Sequence, residues 1–170
     1  MPYDLSKPLV IGISSRALFN LEQENKIFEE QGVEAYEAYQ VAHENEILQK
    51  GAAFQLIKAF LKLNNTGLGR LVEVIIMSRN NANTCLRIFN SIQYYGLDIT
   101  RATLTSGAEI APYLKAFKTD LFLSANSVDV QSAINDGIAA GLILTGAAHA
   151  DAKQKIDQIR ICLLYTSDAA

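Results

Sequence analysis

Short apolar runs without alternating polar residues recur along the chain, and they predict strands that are buried on both faces. The clearest run is Leu9–Ile13, which is rich in β-branched side chains. Similar runs cover residues 71–77 and 121–123, and weaker ones cover residues 100–105 and 141–144. Continuous runs of this kind are typical of the middle of a parallel sheet. We therefore expect Leu9–Ile13 to be the central strand, with residues 71–77 and 121–123 beside it.

Stretches with a helical pattern separate these runs. Residues 22–45 are rich in Glu, Ala and Gln, which predicts a helix interrupted near Gly32 with its acidic side chains on a solvated face. Shorter helices are predicted over residues 112–117 and 128–136. Apolar residues at helical spacing predict two more helices, on Ala53, Phe54, Ile57, Phe60 and Leu61 and on Cys85, Ile88, Phe89 and Ile92. Cys85 lies on such a stripe, so we interpret it as a core residue.

Strands that alternate with helices predict an α/β fold in which a parallel sheet carries helices on both faces, giving three layers. The 170 residues are about one domain's worth, and 49% of them are hydrophobic. A formal net charge of -3 provides no basic surface for nucleic acid. There is no signal-peptide pattern and no apolar span long enough for a membrane, and Cys85 and Cys162 match no zinc or disulfide spacing. These features favour a cytoplasmic protein.

Hydroxyl side chains follow three of the predicted strands. Because the carboxyl ends of parallel strands meet at one edge of a sheet, we expect these hydroxyls to lie together. Hydroxyls, loop amides and one lysine shortly before the third strand suit a phosphoryl group, which needs fixed donors and a cation. The candidate phosphate-binding or nucleotide-binding residues are Ser14, Ser15, Ser78, Asn80, Lys115 and Ser124. The alternative interpretation is that the serines cap the helices after the strands and that the lysine lies on the surface.

Several stretches resemble the cytosolic 5'-nucleotidase type I family, and the order of elements resembles the haloacid-dehalogenase superfamily of phosphatases. The resemblance is carried by residues 13–22 (ISSRALFNLE), 43–45 (HEN), 113–117 (YLKAF), 120–125 (DLFLSA) and 136–140 (DGIAA). It is nearly collinear over residues 8–144. It implies a haloacid-dehalogenase-like Rossmannoid fold and magnesium-dependent hydrolysis of nucleoside 5'-monophosphates such as AMP or IMP.

The positions that carry the chemistry in that superfamily depart from its pattern here. Its phosphatases attack with an Asp after the first strand, and a second Asp two residues later protonates the leaving oxygen. This chain has Ile13, Ser14 and Ser15 there, and the strand end that would hold Mg²⁺ has no carboxylate before Asp129. We therefore predict no catalytic residue and no metal ligand in this chain. Mg²⁺ is implied for full-length family members and is not expected to bind tightly here.

The resemblance also implies that the Asp-x-Asp nucleophile motif lies in a following half that repeats the order of this one. On that interpretation residues 1–161 are a degenerate first copy, and residues 162–170 (CLLYTSDAA) look like a non-native tail of adaptor sequence. Two function classes remain open. The chain is either a fragment of a 5'-nucleotidase whose C-terminal half is missing, or a regulatory module that binds a nucleotide or phosphate without hydrolysing it. The expected partner is a nucleoside monophosphate, with a homo-oligomer left open and with neither nucleic acid nor membrane.

Overall fold

The structure is a computed structural model that describes residues 7–145, so residues 162–170 and Cys162 lie outside the described part. Within that part, five strands form one sheet in the order β3-β2-β1-β4-β5, and all neighbouring strands are parallel. The strands are β1 (Leu9–Ile13), β2 (Val72–Ser78), β3 (Arg101–Leu104), β4 (Leu121–Ser124) and β5 (Ala139–Leu142). The prediction of a parallel sheet with the first strand in its centre is confirmed.

Helices cover both faces of the sheet. They are α1 (Ser15–Leu18), α2 (Glu22–Ala42), α3 (Phe54–Lys62), α4 (Leu86–Tyr94), α5 (Ala111–Ala116) and α6 (Ser127–Asn135), with short 3₁₀ turns at Leu63–Thr66 and Asn83–Cys85. Ile11 and Val74 pack in a core cluster with α1, α3 and α4. Val10 and Ile75 pack on the other face in a second cluster that includes Leu114 of α5. The alternation of side chains along each strand thus produces the predicted three layers.

The last strand does not lie where the apolar pattern placed it. The structure has β5 at Ala139–Leu142 rather than at residues 141–144, and Leu144 is 79% exposed. Space beside β4 is limited at Gly141, where a Cβ would lie 3.2 Å from Cδ2 of Leu123. The predicted run therefore shares Gly141 and Leu142 with the strand, and it misses the first two paired residues, Ala139 and Ala140.

Gly32 divides α2 into two helical arms, residues 22–31 and 33–42, as predicted. Its φ of 87° and ψ of -177° are outside the helical region, and its φ is one that favours glycine. The arms fold toward each other, because the rings of Phe28 and Tyr36 meet edge-on with their centroids 5.9 Å apart. We call the two arms the helical hairpin. It follows β1 and α1 directly in the chain, so it stands near the carboxyl edge of the sheet.

Two expectations about helix faces are wrong. Glu24 is buried rather than solvated, because it pairs with the buried Arg87 of α4. Phe89 is 37% exposed, because α4 turns Arg87, Ile88, Ser91 and Ile92 inward and leaves Phe89 outside that stripe. The core assignment of Cys85 is confirmed by its full burial.

Candidate functional site

A cavity of about 560 Å³ lies between the carboxyl ends of the strands and the helical hairpin. Its volume is within the roughly 300–1,000 Å³ found for small-molecule sites. One wall comes from the residues that follow β1, β2 and β4, and the other comes from both arms of α2. The register explains the first wall: Ile13 is paired with Ile76 and with Leu123, so the three chains reach the same edge together. The predicted serines Ser14, Ser15, Ser78 and Ser124 all line this cavity.

The serine hydroxyls are held mainly by backbone groups. The hydroxyl of Ser14 accepts hydrogen bonds from the backbone N–H groups of Ala17, at 3.3 Å, and of Ala125, at 3.2 Å. The Oγ atoms of Ser15 and Ser78 lie 3.3 Å apart. A serine hydroxyl has two acceptor positions and one proton, so Ser14 caps α1 and still has its proton for another partner. The capping interpretation and the binding interpretation are therefore compatible for this residue.

The hydroxyls of Ser78 and Ser124 shape the loops that follow their strands. Ser78 Oγ accepts from the backbone N–H of Asn80 at 3.2 Å, and Ser124 Oγ accepts from the backbone N–H of Asn126 at 3.1 Å. The Asn126 side chain in turn accepts from the first N–H groups of α6. The N–H groups of Val128 and Asp129 are thus already paired and do not serve as donors to a ligand in the cavity.

Asn80 is tied to the helical hairpin. The hydroxyl of Tyr36 donates to Oδ1 of Asn80 at 3.0 Å and accepts from Nε2 of Gln40 at 3.0 Å. Burial raises the pKa of Tyr36 above its ordinary value, with the bonds to Gln40 and Asn80 acting in the opposite direction. Tyr36 therefore remains a neutral donor that links the second arm of the hairpin to the loop after β2.

The structure does not bring Lys115 to the strand ends. Its Nζ atom lies 3.4 Å from Oδ2 of Asp136, its side chain is 57% exposed, and it is absent from the cavity wall. The reason is the packing of α5, which buries Leu114 against the sheet and so turns the next residue outward. The surface interpretation of this lysine is the one that the structure supports.

Two arginines line the cavity instead. Arg16 Nη2 lies 3.5 Å from Oε1 of Glu22 at a partly exposed site. The Nε atom of Arg16 is buried and has no hydrogen-bond partner within residues 7–145. Arg79 forms a short ion pair with Asp129, whose side chain is 6% exposed. The sequence contained a signal for both, because each arginine directly follows a strand-end serine. That position places them at the same edge as the serines by the same register argument.

The carboxylates on the cavity wall are already engaged, so the site does not fit Mg²⁺. Asp129 is paired with Arg79, Glu24 with Arg87, and Glu37 accepts from the side-chain amide of Asn81. Among the residues that the structure describes, no group of three or more His, Cys, Asp or Glu side chains could hold a metal ion. Mg²⁺ prefers several free anionic oxygens, which this wall does not offer.

Comparison with known proteins identifies the family. A sequence model of 5'-nucleotidases matches residues 1–169. The chain belongs to the 5'-nucleotidase family. Human cytosolic 5'-nucleotidase 1B is 40% identical to it over 146 residues, which cover 82% of this chain and 24% of the human protein. This 5'-nucleotidase chain thus spans about a quarter of the length of that relative.

Two further findings accompany the family assignment. No solved structure matches the chain. Over residues 7–145, no helix combines the length and the apolar character needed to cross a membrane. The resemblance to cytosolic 5'-nucleotidases is confirmed, and the parallel sheet agrees with a haloacid-dehalogenase-like fold.

Proposed function

We propose that this chain is the part of a cytosolic 5'-nucleotidase that binds a nucleoside 5'-monophosphate at its strand ends and does not hydrolyse it. In the full enzyme, a second half of the polypeptide that carries the Asp-x-Asp motif then catalyses the Mg²⁺-dependent hydrolysis of AMP-like or IMP-like substrates. One observation carries this proposal. The residues that follow β1 are Ser14 and Ser15, which have hydroxyls and no carboxylate, and the same edge also presents two arginines. The name of the human relative supports a cytosolic location for the whole protein.

The donors at the strand ends suit a phosphate group. Arg16 is the principal cation, because its partner Glu22 is half exposed and 3.5 Å away, whereas the charge of Arg79 is offset by the buried carboxylate of Asp129. The protons of Ser14 and of the Ser15–Ser78 pair add neutral donors. A site with one available cation and neutral hydroxyls is expected to bind with about millimolar affinity, or about 4 kcal/mol.

The same geometry argues against hydrolysis by this chain. A serine nucleophile needs a neighbouring base, and among the described residues Ser14 and Ser15 make no hydrogen bond to a carboxylate or an imidazole. Hydrolysis of phosphate monoesters is extremely slow without catalysis, so binding alone produces no measurable turnover. The chain's own contribution is to bind and orient the phosphate.

The test is release of inorganic phosphate from AMP and IMP by the purified chain, with and without Mg²⁺, beside a calorimetric binding titration. We expect millimolar binding and no phosphate release above buffer. The Ser14→Asp and Ser15→Asp variants report whether a carboxylate at the end of β1 is enough to start turnover. Turnover by the unmodified chain that disappears in Arg16→Gln would contradict the non-catalytic role. If no phosphate ester binds at a ligand concentration tenfold above the expected dissociation constant, the binding role is contradicted.

The second candidate is a free-standing regulatory module that binds a nucleotide or phosphate. It is favoured by the cavity itself, because the residues that line it among the described part of the chain all lie within residues 14–129. Sequencing the source gene beyond the codon for Ile161 separates the two candidates. An Asp-x-Asp after an apolar run supports the enzyme half, and a stop codon supports the module. Light scattering of the purified chain tests whether it forms a homo-oligomer.

A further inference from the structure

We propose that the helical hairpin forms a nucleobase subsite in the same cavity, with the ring of Phe28 as its stacking surface. On this assignment the chain recognises a whole nucleoside 5'-monophosphate and not only its phosphate. The inference rests on the proposed function, because it places the base of the nucleotide whose phosphate lies at the strand ends. It adds the location of the base within the cavity and a residue that determines affinity.

The first observation is the exposure of Phe28 on the cavity wall. Its side chain remains 47% exposed although it faces a concave site with Tyr36 and Val33. Core packing does not account for a phenylalanine that is half in water. A planar ring that lay on Phe28 would remove this apolar area from water and gain the offset or edge contacts that aromatic pairs prefer.

The second observation is that the ring is held in place before any ligand arrives. Tyr36 meets Phe28 at an interplanar angle of 83°, and its hydroxyl is fixed by Asn80 and Gln40. The hairpin is also fixed at its base, where Glu24 pairs with Arg87. A stacking surface that is already ordered avoids most of the entropy lost when a side chain is immobilised on binding.

The third observation is the distribution of chemistry within the cavity. Its strand-end wall carries hydroxyls and arginines, and its hairpin wall carries Phe28, Val33 and Tyr36 beside the polar side chains Asn25 and Glu37. A nucleotide has the same division, with an anion at one end and a flat ring with polar edges at the other. A free phosphate ion would leave most of the roughly 560 Å³ to water.

The experiment compares four ligands, AMP, adenosine, ribose 5-phosphate and inorganic phosphate, by calorimetry or NMR titration of the whole chain. We expect AMP to bind about tenfold more tightly than ribose 5-phosphate, since stacking on an aromatic side chain contributes that much or more. Phe28→Ala should reduce the AMP affinity to that of ribose 5-phosphate and leave ribose 5-phosphate unchanged. Phe28→Tyr keeps the ring and should stay within about twofold of the unmodified chain for AMP.

Tyr113→Ala is the matched control, because Tyr113 is an aromatic residue of similar exposure, 40%, on α5 and outside the cavity wall. It should change none of the four affinities. Equal binding of AMP and ribose 5-phosphate by the unmodified chain, or an AMP affinity unchanged in Phe28→Ala, would overturn the subsite while the phosphate site stands. Adenosine binding that is lost in Phe28→Ala, together with no binding of ribose 5-phosphate, would instead support the subsite and contradict the phosphate site. If none of the ligands binds, both are overturned.

Discussion

The guanidinium of Arg87 donates to the carboxylate of Glu24, with Nη1 2.6 Å from Oε1, and the two side chains are 8% and 6% exposed. The Nε of Arg87 also donates to the backbone carbonyl of Glu46 at 2.9 Å. This buried pair fastens the first arm of the helical hairpin to α4. The second arm is fastened separately, because Tyr36 donates to Asn80 and Glu37 accepts from Asn81, so the buried pair fixes mainly the first arm.

Removing one partner of the pair should destabilise the fold substantially. We expect Arg87→Met to lower the free energy of unfolding by about 3 kcal/mol, because it leaves the Glu24 carboxylate buried without its counter-ion. Urea denaturation measures the change. The matched control is Lys26→Ala, which breaks a Lys26–Glu30 pair 3.8 Å apart whose side chains are 71% and 59% exposed. That change should stay under about 0.5 kcal/mol. Losses of equal size in the two variants would show that the buried pair does not anchor the hairpin.

Gly51 should tolerate no side chain. A Cβ there would lie 2.7 Å from the backbone oxygen of Ala17 and 2.8 Å from the backbone carbon of Leu18, and backbone atoms cannot turn away. We expect Gly51→Ala to reduce the free energy of unfolding by about 3 kcal/mol. Gly12→Ala is the comparison, since its nearest contacts are the side chains of Met77 and others at 3.2 Å or more, which can shift. A smaller loss, about 1 kcal/mol, is expected there. A larger loss of stability in Gly12→Ala than in Gly51→Ala, measured by thermal or urea unfolding, would contradict this interpretation of the packing.

The sheet could be predicted from the sequence because its central strands are buried on both faces. The continuous apolar run of β1 left no alternative face for solvent. Strand β2 is also buried throughout, although it contains Glu73, whose carboxylate pairs with Arg70 and Arg101. At the edge this argument fails. Strand β5 packs small residues beside β4, and hydrophobicity alone does not mark Ala139 or Ala140 as strand residues.

The candidate site could be predicted only in part. Ser14 and Ser78 were located because parallel pairing fixes which residues reach the carboxyl edge. The structure does not bring Lys115 to this edge because it sits on a helix, where a shift of one position rotates a side chain by 100° and decides between sheet and solvent. Glu24 shows the same limit: its sequence neighbours gave no sign that Arg87, 63 positions later, would meet it.

The stability of the fold should fall as the solution becomes alkaline, through Cys85. Burial raises the pKa of its thiol from 9.0 to about 12. The unfolded chain therefore loses the thiol proton near pH 9 while the native chain keeps it, so stability is full below pH 9 and declines toward pH 12. Each pH unit in that window removes up to about 1.4 kcal/mol.

The measurement for Cys85 uses a Cys162→Ser background, so that only one thiol titrates. Urea unfolding at pH 8 and pH 10 is compared with that of a Cys85→Ala variant. The highest pH does not exceed about 10, the ordinary pKa of tyrosine, which limits the titration of tyrosines. The variant should have lower stability at both pH values and a shallower decline between them. Parallel declines in the two proteins would show that Cys85 does not carry the pH dependence.

The last prediction separates the two candidate cations of the phosphate site. We expect Arg16→Gln to weaken AMP binding by about tenfold, because it removes the arginine whose counter-ion is the more exposed and a hydrogen bond to a charged group contributes about 1.5–3 kcal/mol. Lys115→Ala should leave the affinity within about twofold, since its ammonium group pairs with Asp136 on the surface and any longer-range attraction is screened by salt. Arg16→Lys should recover only part of the loss, because an ammonium group cannot form the two parallel bonds of a guanidinium. Calorimetric titration of AMP at low and at physiological salt gives all three values. A loss in Lys115→Ala as large as that in Arg16→Gln would mean that the bound phosphate extends to α5, and the strand-end location of the site would then be wrong.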